Sequence, residues 1–437
     1  MNVVFIVLDT VRKDRISVYN EDINFTENLE KFSENATIFE NAVSQAPWTL
    51  PSHSSMFTGL YPWEHKATQK NLYLETEKTL LAEKFKQENY QTACFTSNTW
   101  ISPYIGTTDG FDEVNNFFGA LPNNLMSGKT RKLWQWLNQG KSKVIMEKIM
   151  DLGEKLHWMG SEPSTKTPET IDKAKQFINN TEGEFFLFLN FMDAHLPYRP
   201  PEEYKEKHAE NVDMENVCQK AFDHNAGRVQ ADFEASKKLY NAEIDYLDDQ
   251  LGRLFEYFEK EDLMEETIFL IVSDHGENLG EDNMFGHQFS VSENLINVPL
   301  IVKKPGKDPE KISDIFELKQ IYNYLPSLAE IEEHNLKTTE YAKGGYEYPE
   351  LDLRNIPEEK KKELGKRLRF VKDKNKKLVR EGEKNPKDIM YDLETGEKIE
   401  VEEKYVEKLE DKQVESKGKK DVEEEEVKER LEELGYM

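Results

Sequence analysis

Asp9, Thr49, Asp274 and His275 are the residues of this chain whose types could act together. Two carboxylates, a hydroxyl and an imidazole form a hard donor set that suits Mg²⁺, Mn²⁺ or Zn²⁺. Hydrolysis of a phosphate or sulfate ester needs a nucleophile held in line and a cation to offset charge on the equatorial oxygens. A bound divalent ion also lowers the pKa of a coordinated hydroxyl, which makes an otherwise inert alcohol a usable nucleophile. Taken singly, each residue has a plainer role. An Asp at a strand end or a lone Thr near a proline commonly caps a helix, and Asp-His-Gly is short enough to recur by chance.

The elements that must position these residues are legible from periodicity. The apolar run Asn2–Leu8 ends in Asp9, the pattern of a central parallel strand. Gln91–Asn98 reads as a strand ending in polar residues, Glu184–Met192 runs into Asp193-Ala194-His195, and Thr267–Val272 into Ser273-Asp274-His275-Gly276. Val298–Val302 reads as one further strand. Residues 26–35 read as helical, and residues 49–60 as a loop entering a helix that stops at Gly59. Residues 232–260 carry Leu239, Ile244, Leu247, Leu251 and Leu254 at helical spacing. Strands alternating with helices predict an α/β fold, a mostly parallel central sheet with helices on both faces. In such sheets ligands bind beyond the carboxyl ends of the strands, and each polar cluster named above falls at such an end.

The run from Ala46 to Pro62 contains Thr49-Leu50-Pro51-Ser52-His53-Ser54-Ser55-Met56-Phe57-Thr58-Gly59. It resembles the nucleophile segment of the sulfatases in the alkaline phosphatase superfamily, Cys-or-Ser-x-Pro-Ser-Arg-x-Ser-x-x-Thr-Gly. Thr49 stands at the Cys or Ser that those enzymes oxidise to formylglycine, and His53 at the Arg. The order strand-Asp, Thr-x-Pro-Ser-x-x-Ser, Ser-Asp-His-Gly-Glu-x-x-Gly extends the resemblance over roughly residues 1–305. It implies an alkaline phosphatase-like three-layer sandwich with a small C-terminal α+β subdomain. It also implies that Asp9, Thr49, Asp274 and His275 are metal ligands, with Thr49 the nucleophile and Mn, Mg, Zn or Ca the cation. Thr10 replaces the second Asp of the sulfatase calcium site, and Asp14 is expected on the surface or behind the ligands. His275, where sulfatases often carry Asn, looks like the metal-dependent phosphoesterases and phosphoglycerol transferases.

The same resemblance assigns His195, in Asp193-Ala194-His195-Leu196-Pro197, to the leaving group as general acid. His53 and His287 are expected to bind substrate, with His53 alternatively orienting Thr49. Asn98, roughly where sulfatases place a Lys-x-His element that is absent here, is expected either to donate to a phosphoryl oxygen or to cap the next turn. Asp193, His195 and His287 together could instead form a second metal site; one metal with two substrate-binding histidines is the reading taken. Ser52 is expected to cap its helix, Glu277 to support the site, and Trp48 and Trp100 to line the pocket or pack in the core. The run Tyr240–Asp248 matches a sulfatase helix and is expected to make core contacts.

Length and composition bound the rest. The 437 residues suffice for one large domain and a smaller one. We expect a catalytic domain over 1–335 with an insertion or lid at 123–165, a small subdomain over 336–400, and a charged tail over 401–437 whose segment Val427–Leu434 could form a final helix. Two cysteines, Cys94 and Cys218, offer no disulfide framework. The formal charge of −27 argues against nucleic-acid binding. No run approaches the roughly 18–20 apolar residues of a membrane span, and residues 2–8 read as a strand rather than a leader, so a cytoplasmic location is expected. The expected activity is metal-dependent hydrolysis of a small-molecule, glycan or lipid ester. A phosphoester or phosphodiester is favoured, because Thr49 cannot become formylglycine. The alternatives are a phosphoglycerol- or phosphoethanolamine-type transferase, a true sulfuric ester hydrolase, and a non-catalytic binder of anionic glycans.

Overall fold

A computed structural model of the chain describes residues 1–103, 105–116, 166–334, 336–347 and 356–410. The expected 123–165 insertion and the Val427–Leu434 helix lie outside the described residues. The core is a nine-stranded sheet ordered β11-β2-β10-β6-β1-β5-β3-β4, with β9 paired to β2. Its strands are β1 (Asn2–Leu8), β2 (Thr37–Val43), β3 (Gln91–Thr96), β4 (Glu113–Asn116), β5 (Phe185–Phe191), β6 (Thr267–Val272), β9 (Asn297–Val298), β10 (Leu300–Lys303) and β11 (Glu310–Glu317). A two-stranded ribbon, β7 (Asn278–Leu279) and β8 (Phe285–Gly286), follows β6.

The central strands are apolar at nearly every position because both faces of the sheet are covered. Val4, Ile6 and Leu8 of β1 enter one core layer, while Val3, Phe5 and Val7 enter the other. The first layer is closed by the helix Phe233–Lys260, in which Leu239, Ile244, Leu247, Leu251 and Leu254 are all buried as their spacing predicts. On the second, Phe5 meets Phe188 of β5 edge-on at 5.2 Å. Parallel pairing of β1 with β5 and β6, and of β3 with β5, sets the carboxyl ends of four strands side by side. The expected single strand Val298–Val302 is two, because Pro299 has no N–H to donate and breaks the ladder. The second piece, β10, runs antiparallel to β6 and β2.

The C-terminal part is a separate antiparallel sheet, β12 (Ala342–Tyr346), β13 (Leu368–Lys372), β14 (Lys376–Glu381), β15 (Lys387–Asp392) and β16 (Lys398–Ile399), paired in sequence order. The helix Glu403–Glu410, in the stretch read as tail, buries Tyr405 and Leu409 beside Val371, Leu378 and Met390. Among the described residues no helix is long and apolar enough to cross a membrane.

Candidate active site

Asp9 leaves β1 fully buried, and its backbone N–H continues the ladder to Phe191 O at 2.9 Å. Asp274 and His275 leave the neighbouring β6, also fully buried. The turn after them depends on Gly276, since a Cβ there would sit 1.8 Å from the Asn294 carbonyl oxygen. One donor atom from each of Asp9, Asp274 and His275 falls within 4.8 Å of the others, the only such cluster of three among the described residues. His275 Nε2 is 3.4 Å from Asp274 Oδ2 and 3.9 Å from Asp9 Oδ1.

These three atoms are buried, and none has a hydrogen-bond partner. The rest of each side chain is tied down. Asp9 Oδ2 accepts from Asn98 Nδ2 at 2.7 Å and from Asn190 Nδ2 at 3.4 Å. Asp274 Oδ1 accepts from His275 N at 3.0 Å and Thr10 N at 3.4 Å. His275 Nδ1 faces the Gly276 carbonyl at 2.9 Å, which can only accept, so Nδ1 carries the proton and Nε2 presents a lone pair. Burial, then the charge of Asp9, hold the Asp274 carboxyl well above the usual carboxylate range. Burial first, with His287 beside it, keeps His275 neutral, well below the usual imidazole range. Buried acceptors left without donors are costly, and two carboxylate oxygens with one imidazole nitrogen are ligands that a divalent cation would satisfy.

Thr49 opens the helix Thr49–Thr58, where the exposed N–H groups and the dipole favour negative charge. Pro51 is tolerated in that first turn, and Gly59 closes the helix at φ 71°. The Asn98 amide binds the two halves of the site together. Its Nδ2 donates to Asp9 at 2.7 Å and lies 3.4 Å from Thr49 Oγ1, while its Oδ1 accepts from Trp100 N at 2.8 Å. His53 lies one turn beyond Thr49 and is fully buried, its Nδ1 donating to Thr49 O at 3.0 Å and 3.4 Å from Asp274 Oδ2. Burial pushes the His53 imidazole down to about 4, so it is neutral there. These contacts tie the first turn of the helix to the Asp274 turn.

His195 and His287 form the other wall, their rings 5.3 Å apart, with His287 4.6 Å from His275. Both are partly exposed, and His195 donates from Nδ1 to Leu196 O at 2.6 Å. Glu277 is buried behind His287 and holds its Nδ1 at 3.0 Å. Asp193 accepts from Thr167 Oγ1 at 2.7 Å and does not join His195 and His287 in a converging cluster. Asp14 is clamped by Arg12 through two 2.8 Å bonds, away from the ligand trio. Ser52 does not cap its helix; its Oγ donates to Asp274 O at 2.8 Å and stitches the Thr49 helix to the ligand turn. Trp48 and Trp100 form an edge-on pair at 5.5 Å.

Sequence reasoning passed over Asn190, which accepts from Thr96 Oγ1 at 3.0 Å and points its amide at Asp9. An Asn in an otherwise apolar buried strand is a signal that could have found it. A surface groove bounded by Glu184, Tyr257 and Glu265 opens at the amino ends of β1 and β5, the far end of the sheet, and touches none of these residues.

The chain belongs to the sulfatase family: the model of that family, described as Sulfatase, matches residues 1–329. An arylsulfatase of Clostridium perfringens is 24% identical over 366 residues, covering 76% of this chain and 75% of that protein. A multifunctional alkaline phosphatase superfamily protein of Trinickia caryophylli is 25% identical over 361 residues, 70% of this chain and 69% of its own. Among solved structures, the phosphonate monoester hydrolase of Agrobacterium radiobacter superposes with a TM-score of 0.65 at 15% identity, covering 90% of each chain. A protein solved in complex with its substrate D-glucosamine-2-N,6-O-disulfate also superposes at 0.65, with 16% identity over 99% of this chain and 97% of that one. The chain is thus a hydrolase of ester bonds with the alkaline phosphatase-like fold.

Proposed function

We propose that this chain is a metal-dependent phosphoesterase or phosphodiesterase in which Thr49 is the nucleophile. The observation that carries the reading is the convergence of Asp9 Oδ1, Asp274 Oδ2 and His275 Nε2, buried and without hydrogen-bond partners, beside a hydroxyl at a helix N-terminus. A divalent cation held by these three, with Thr49, would supply positive charge to the ester oxygens and lower the pKa of the hydroxyl. Thr49 Oγ1, its proton released to solvent, attacks phosphorus in line, forming a covalent ester as the bond to the leaving oxygen breaks. In this reading His195 gives the departing oxygen a proton, and His287, braced by Glu277, binds a second ester oxygen. Asn98 and His53 keep Thr49 in place, and water resolves the Thr49 ester. A phosphorus centre is favoured over sulfur because Thr49 cannot be oxidised to formylglycine. The similarity to a phosphonate monoester hydrolase fits that choice.

The test is a set of aryl phosphate, bis-aryl phosphate and aryl sulfate substrates, each with Mn²⁺, Mg²⁺, Zn²⁺, Ca²⁺ or chelator. Cleavage of a phosphorus ester is expected to require metal, to vanish in Thr49→Ala and to persist in Thr49→Ser. Turnover that survives Thr49→Ala would remove the nucleophile assignment. Thr49-dependent cleavage confined to the aryl sulfate would overturn the choice of phosphorus.

A further inference from the structure

Thr10, directly after Asp9, sits at φ 61°. A β-branched residue rarely adopts this left-handed conformation, and it persists only where the surroundings enforce it. The turn is closed locally by Val11 N donating to Leu8 O at 3.2 Å. It is held from the core by Tyr240, a fully buried side chain on the Phe233–Lys260 helix and 230 residues distant in sequence. Its hydroxyl donates to Thr10 O at 2.7 Å and accepts from Arg12 N at 2.8 Å. One hydroxyl thus ties the chain on both sides of Val11, at Thr10 O and at Arg12 N. Arg12 is anchored in turn by Asp14, Glu281 and the Glu277 carbonyl. The left-handed residue lets Thr10 N reach Asp274 Oδ1 while Asp9 stays registered on β5.

We propose that Tyr240 is a positioning residue for the metal centre: its hydroxyl holds Thr10 in the left-handed turn that aims Asp9 Oδ1 at Asp274 and His275. The role goes beyond the core contact expected of this helix and rests on the metal-dependent reading above. Phe at 240 keeps the ring and its packing but leaves the turn free to relax. Glycine at 10 adopts positive φ without steric cost, so a turn carrying it has less need of the clamp.

The experiment titrates Mn²⁺ into the full chain and measures affinity directly, by calorimetry or by the loss of the free Mn²⁺ resonance signal. Tyr240→Phe is expected to weaken binding by about 10–100-fold, the usual cost of losing a group that orients a ligand. In the Thr10→Gly background the same substitution is expected to cost less than about threefold, a coupling that independent sites would not show. A Tyr240→Phe chain that folds only together with Thr10→Gly supports the same coupling. Unchanged Mn²⁺ affinity in Tyr240→Phe, or an equal loss in both backgrounds, overturns the clamp while leaving the metal-dependent reading in place. A parent chain that binds no Mn²⁺ overturns both.

Discussion

Raising the pH should tighten metal binding steeply, because the metal-free site holds a proton that the cation must expel. Asp274 and Asp9 are both fully buried, with Oδ atoms on the same small volume. Burial and the Asp9 charge raise the Asp274 carboxyl well above its ordinary range, so without metal it stays protonated at pH values where an exposed Asp is ionised. A group raised on folding contributes stability that is complete below its unfolded pKa and is lost as pH rises through the folded value. His275 has the opposite sign. It is depressed, so its contribution is present above the ordinary imidazole pKa and lost as pH falls. His275 is already neutral, which leaves one displaced proton, from Asp274. Each displaced proton makes apparent affinity tenfold tighter per pH unit, about 1.4 kcal/mol. The Mn²⁺ affinity should therefore rise with pH about tenfold per unit while Asp274 is protonated in the metal-free chain, and level off once it ionises. Calorimetry in two buffers of different ionisation enthalpy counts the protons directly. Thermal unfolding with and without Mn²⁺ reads the same linkage as a stabilisation that grows with pH. Asp274→Asn should bind more weakly and lose the slope. A proton count near zero in the parent chain, with affinity flat in pH, would show that both carboxylates are ionised in the metal-free protein and would refute the burial argument.

Two further substitutions separate local geometry from chemistry. Gly276→Ala should lower stability by roughly 1–3 kcal/mol in urea unfolding, the range for overpacking a close-packed site, and should weaken Mn²⁺ binding because His275 moves with the turn; unchanged stability and binding would contradict the close contact. Glu293 bridges Lys372 of β13 and Lys377 of β14, whose side chains are 2% and 6% exposed, and the pair draw its carboxyl down to about 2 against the cost of burial. Glu293→Gln should destabilise the chain by about 2–4 kcal/mol, toward the lower end because water reaches part of the Glu293 side chain. The contribution belongs above the ordinary Glu pKa and fades as pH falls toward about 2, so the mutant and parent unfolding curves should converge in acid.

Much of this protein was decided by short stretches of its sequence. Mostly apolar runs ending in Asp, Asn or Asp-His define buried parallel strands with polar ends. A parallel sheet must place those ends on one edge, so Asp9, Asp274 and His275 converge without any further instruction. The spacing of Leu239 through Leu254 likewise determines which face of the long helix is buried. Two strands at one end of the sheet were illegible: β11, the edge strand, reads Glu-Lys-Ile-Ser-Asp-Ile-Phe-Glu because it is half exposed and needs no continuous apolar run, and β2, next to it, carries Glu40 and Asn41 amid apolar residues. Only the tertiary structure decided that Asn98 bridges Asp9 to Thr49, that Ser52 bonds Asp274 rather than its own helix, that Glu277 braces His287, and that Tyr240 bonds the turn at Thr10. These are single polar contacts between residues up to 230 positions apart. Periodicity reports which face of an element is buried, but the partner of a buried polar atom is fixed by how the elements dock.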